Sequence, residues 1–95
     1  MLIYIIKEDI RLGLKKSLTH CPIALCIRRR FPDIWVRVLS PYLEISGSTI
    51  LHFDKPTRQF IIDFDQNLPV LPFSIDTSVC QISLPTDFKI NVFEE

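Results

Sequence analysis

The stretch CPIALCIRRRFP, residues 21–32, constrains the fold more than any other part of the chain. Proline at position 22 suits a first helical turn, where its missing N–H has no intrahelical partner and its fixed φ already fits. The residues that follow, Ile23 to Ile27, are apolar on every side of a helix, so that end must be sunk in a core. Arg28, Arg29 and Arg30 then complement the negative pole of the helix dipole. Pro32 disfavours helical backbone at the residue before it and stops the run. The spacing predicts a helix over residues 22–30 that reaches water only from Arg28 onward.

The segments around it read mostly as strands. Residues 2–6, LIYII, are β-branched and aromatic and predict a strand buried on both faces. Ile6, Ile10 and Leu14 recur at spacing four, consistent with one or two helical turns closed by Gly13, and residues 15–20 follow as an exposed loop. Residues 34–39 alternate Ile34, Val36 and Val38 with Trp35, Arg37 and Leu39, a strand with one mixed face. Ser40-Pro41 breaks it, residues 42–46 form a second strand, and Gly47-Ser48 turns into a third over residues 49–53, an antiparallel meander. Asp54-Lys55-Pro56-Thr57 opens another helix, with Phe60, Ile61 and Phe64 on one face and Asn67 closing the unit, although residues 59–64 also read as a strand. Pro69 and Pro72 confine the next extended segment to a sheet edge or end. A last strand is expected over residues 79–84, and a less ordered tail over 85–95 with Phe88 and Phe93 as docking points.

Together these elements predict one α+β domain over residues 1–95: a mostly antiparallel sheet of four to six short strands with two short helices packed on one face. A chain of 95 residues buries roughly 60–65% of its unfolded surface, enough for one modest core. With 47% of residues apolar, the core cannot hide every large side chain. An apolar patch covered by a partner is therefore expected, most simply a second copy in a homodimer. No apolar run approaches the ~20 residues that span a bilayer. The N-terminus has no basic leader, which points to the cytosol.

The segments IYIIKEDI (residues 3–10), CPIALCI (21–27), FIIDFD (60–65) and VLPFSID (70–76), in that order, resemble a family of small uncharacterised proteins encoded by bacteria and their phages. The resemblance spans most of residues 3–76. It implies a compact α+β domain of phage or mobile-element origin, in the cytoplasm of a bacterial host cell, and carries over no catalytic residue. Cys26 stands where the family has a small residue, and no glycine follows Phe64-Asp65.

Few residues offer chemistry. Cys21, Cys26 and His20 suggest zinc, but structural zinc uses paired two-residue spacings and four ligands, and the cysteines read better as free, buried thiols. Cys80 with His20 or His52 would form a nucleophile and base, yet no electropositive, exposed setting surrounds it in sequence. Asp54, Asp63 and Asp65 would suit a divalent cation in a small hydrolase, but on a helix Asp63 and Asp65 lie ~200° apart. Gly13 and Gly47 are the only glycines, so the familiar glycine-rich phosphate loops are excluded. No cofactor and no enzymatic activity are expected.

The remaining signal is charge. Residues 1–40 carry eight Lys/Arg against three Asp/Glu, and residues 41–95 carry three against eight, a split of +5 and −5 in a chain of zero net charge. Arg28, Arg29 and Arg30, with Arg37, Lys15 and Lys16, are the candidate binding residues. One arginine suffices for capping, and three exceed that need. Phe31, Trp35 and Tyr42 offer stacking surface, although Phe31 and Trp35 read first as core. The leading expectation is a non-enzymatic binding protein that occludes or sequesters a host protein, such as a subunit of an antiviral defence system. The alternative is a nucleic-acid or phosphorylated-ligand binding module built on the same arginines.

Overall fold

The computed structural model describes residues 2–46 and 49–83. Its strands are β1 (Leu2–Ile5), β2 (Val36–Val38), β3 (Tyr42–Ile45), β4 (Thr49–His52), β5 (Phe73–Asp76) and β6 (Gln81–Ser83). Its α-helices are α1 (Lys7–Leu12), α2 (Pro22–Arg30) and α3 (Lys55–Asp65), with a 3-10 turn over Thr77–Val79. The α+β class holds, but the strands form two antiparallel sheets rather than one: a β1–β5 pair and a β2–β3–β4–β6 sheet. The expected meander is β2–β3–β4, and β6 pairs back onto β4 with Leu51 opposite Ile82. The Gly47-Ser48 turn and the tail from residue 84, with Phe88 and Phe93, lie outside the described residues.

Helix α2 spans the predicted residues and packs against both β1 and β2, so one buried helix is common to the two sheets. Ile23, Ala24, Cys26 and Ile27 are buried among Ile3, Ile5, Val36, Val38, Leu43, Leu51 and Ile75. Cys21 occupies the N-cap without a side-chain cap bond, and Pro22 supplies the first turn. Helix α3 docks by the predicted face: Phe60 stacks on Phe64 at 6.3 Å between centroids and packs on Phe73 of β5 at 4.4 Å. Asp54 caps its start by accepting from the Thr57 N–H at 3.1 Å. Asn67, at φ 67°, ends it: the Leu68 N–H reaches the Asp63 carbonyl at 2.9 Å and the Asn67 N–H the Phe64 carbonyl at 3.2 Å.

One local expectation is corrected. Strand β1 is buried on one face only: Ile3 and Ile5 point inward, while Leu2 and Tyr4 are 42% and 55% exposed. Its neighbours cover one side of a two-stranded sheet, so alternation prevails over an apolar run. Gly13 closes α1 as expected, its N–H bonding the Asp9 carbonyl at 2.9 Å, with an extended backbone of φ −68° and ψ 147°. Glycine is required there by space. A Cβ at residue 13 would lie 2.7 Å from Cγ and Cδ of Pro22 and 2.8 Å from the Asp9 carbonyl oxygen. Neither a proline ring that opens a buried helix nor a helix carbonyl yields easily. Gly13→Ala is therefore expected to lower stability by roughly 1–3 kcal/mol, read as a shifted urea midpoint; an unchanged midpoint would refute the tight contact between Gly13 and α2.

Candidate functional site

The arginines at the end of α2 do not form one cluster; each leads to a different acceptor. Arg29 is the most committed. Its Nη2 donates to Asp9 Oδ2 at 2.8 Å and its Nε to Asp9 Oδ1 at 3.4 Å, a two-pronged grip on a carboxylate that is only 4% exposed. The same Oδ2 accepts from the Ile6 N–H at 3.0 Å, so Asp9 also reaches back to cap α1. The Asp9 carboxylate holds the Arg29 guanidinium above its ordinary, already high, range.

Arg30 donates through Nη1 to the Leu2 carbonyl at 2.7 Å and lies 5.6 Å over the Phe31 ring. Arg29 Nη2 reaches the Tyr4 carbonyl at 3.4 Å, and Cys26 Sγ donates to the same oxygen at 3.0 Å. The Leu2 and Tyr4 carbonyls of β1 are thus capped from α2, and arginines cover a strand edge that would otherwise invite pairing. The Cys26 thiol is pushed up to about 11, first by burial and then by the nearby Asp9 charge. It is a thiol at neutral pH, as its donation to Tyr4 requires. Burial likewise raises Cys21 and, with less enclosure, Cys80. All three cysteines are free, and Cys80 is half-buried rather than buried.

Arg28 is placed differently. Its Nη1 donates to the Thr19 carbonyl at 3.1 Å and contacts His20 Nε2 at 3.2 Å, while His20 Nδ1 lies 2.8 Å from Thr19 Oγ1. An imidazole that accepts from Arg28 at Nε2 carries its proton on Nδ1 and donates it to Thr19. Arg28 and His20 line a groove of about 480 Å³ with Thr19, Asp33, Trp35 and Val36. Trp35 is half exposed there, a correction to its expected core role; its strand begins only at Val36. Phe31 does pack against the core.

Arg37 and Glu44 face each other across β2 and β3 and pair through Arg37 Nη2, with Nε at 3.1 Å from Glu44 Oε1. The pairing holds the guanidinium of Arg37 above its ordinary range. In the loop, Lys15 and Lys16 are exposed, and the Lys16 N–H, at φ 58°, donates to Asp65 Oδ1 at 2.9 Å. Asp63 accepts from Gln59 at 2.8 Å, so the two α3 carboxylates face separate partners. Among the described residues no group of three or more His, Cys, Asp or Glu is placed to hold a metal ion, and no helix is long and apolar enough to cross a membrane.

Two features of this region escaped the sequence reading. One is Asp9, for which an acid at the third helical position is the available capping signal. The groove joins the loop before α2 to the segment after it, a juxtaposition no local pattern encodes. Comparisons with family models, curated proteins and solved structures find no match to this chain.

Replacing each arginine with methionine separates these roles. Arg29→Met leaves the buried Asp9 carboxylate with one donor among the described residues, the Ile6 N–H, and is expected to lower stability by about 1–3 kcal/mol. Arg28→Met and Arg30→Met, at exposed positions, are expected to change it by about 0.5 kcal/mol or less. Urea unfolding of the three variants checks this; equal losses at all three would contradict the division.

Proposed function

We propose that the chain is a binding protein that acts by occupying the surface of a protein partner, not by transforming a substrate. The observation that carries this is the outward face of β1. Leu2, Tyr4 and Ile6 stand on alternate positions of one extended segment, and all three are exposed. The inward residues Ile3 and Ile5 complete the core, so this stripe is apolar surface beyond what the fold uses. Rows of large apolar side chains on a sheet face are protein docking surfaces when a partner covers them. The flanking edge is closed by Arg29 and Arg30, which leaves side-chain packing, not strand addition, as the mode of contact.

The partner is a host protein in the bacterial cytoplasm, and the setting a phage or mobile element whose product sequesters or occludes a defence component. What supports this setting is the resemblance carried by residues 3–10, 21–27, 60–65 and 70–76. A second copy of the chain is the competing occupant of the face.

Leu2→Gln/Tyr4→Gln tests the reading. The variant is expected to lose a species captured from host lysate by the unchanged protein, with its unfolding midpoint held within about 0.5 kcal/mol. Nuclease treatment of the lysate is expected to leave the capture intact. Retained capture by the variant, or a captured species that nuclease removes, would overturn the reading, and a stable dimer that dissociates in the variant would assign the face to self-association.

A further inference from the structure

We infer that the groove between the loop before α2 and the segment leading into β2 is a second, separate binding site, for a planar ring that carries a phosphate. This groove is distinct from the docking face proposed on β1. It rests on three features of one groove of about 480 Å³, within the range of small-molecule sites.

The first is the state of Arg28. Its Nη1 is held by the Thr19 carbonyl and His20, which fixes the direction of the guanidinium. Among the described residues its Nε and Nη2 make no hydrogen bond, which leaves the edge that grips phosphate bidentately available to a ligand. Arg29 and Arg37, by contrast, each bind a carboxylate through both Nε and Nη2.

The second is Trp35, which is 50% exposed. Its backbone is fixed by the Ser46 N–H, which donates to the Trp35 carbonyl at 2.8 Å. A half-exposed indole beside an oriented arginine offers a stacking surface for a ring and a cation for its charged substituent.

The third is Asp33, exposed on the same groove, whose carboxylate accepts hydrogen bonds only. It repels a bare anion and suits the ring N–H or amino edge of a base. Together they select a molecule anionic at one end and hydrogen-bond-donating at the other, such as a nucleoside monophosphate. No glycine-rich loop is needed, because a single phosphate is gripped by a side chain, not cradled by backbone amides.

Trp35 is the only tryptophan in the chain, so its fluorescence reports this groove alone. Titration with AMP and GMP is expected to give a saturable change, with at least about tenfold weaker binding for adenosine, guanosine and inorganic phosphate. Arg28→Gln is expected to weaken AMP and GMP binding by about tenfold or more, and Arg30→Gln to leave it unchanged. No saturable change up to about 5 mM nucleotide, or equal affinity in Arg28→Gln, would overturn the site. Neither result bears on the β1 face, which the Leu2 and Tyr4 substitutions address.

Discussion

A carboxylate removed from water must be surrounded by donors, and Asp9 is the buried acid around which one end of this protein is organised. Its donors come from two elements: the Ile6 N–H at the start of α1 and the guanidinium of Arg29 at the end of α2. One side chain therefore ends β1, starts α1 and locks α1 to α2. The helix held in this way packs on both sheets. Gly13 closes the same corner from the other end of α1, where only a residue without Cβ lets Pro22 approach. The entry of α2 and its exit are thus both fixed against α1.

This arrangement changes the meaning of the arginine run. As sequence, Arg28, Arg29 and Arg30 look like one basic patch. On a helix, successive residues are turned by about 100° and meet different surroundings. Arg29 falls toward Asp9, Arg30 toward the edge of β1, and Arg28 toward the loop and the groove that holds Trp35. At the other sheet the Val38 N–H of β2 donates to the Leu18 carbonyl of the loop at 2.7 Å. Backbone groups on one edge strand of each sheet, β1 and β2, are thus occupied by the residues around α2, which limits strand addition at those two edges.

Much of the fold was legible locally. Proline in a first turn, apolar residues on every side and a following proline located α2; alternation located the meander; Asp54 and Asn67 marked the ends of α3. These signals act within a few residues. What was not legible depends on distant partners. The exposure of Leu2 and Tyr4 follows from what covers β1, and the division into two sheets follows from pairing between strands about seventy residues apart. The same holds for the site: charge alone grouped Arg28 with Arg29, Arg30 and Arg37, and only the acceptors Asp9, Leu2 and Glu44 separate them.

Arg29 belongs to the fold through Asp9, unlike Arg28 and the β1 face, for which binding roles are proposed. A double-mutant cycle with Asp9→Ala and Arg29→Met, read by urea unfolding, tests it most directly. The account predicts that the double variant loses less stability than the two single variants together, by a coupling of about 1–3 kcal/mol. Additive losses, within about 0.3 kcal/mol, would contradict it.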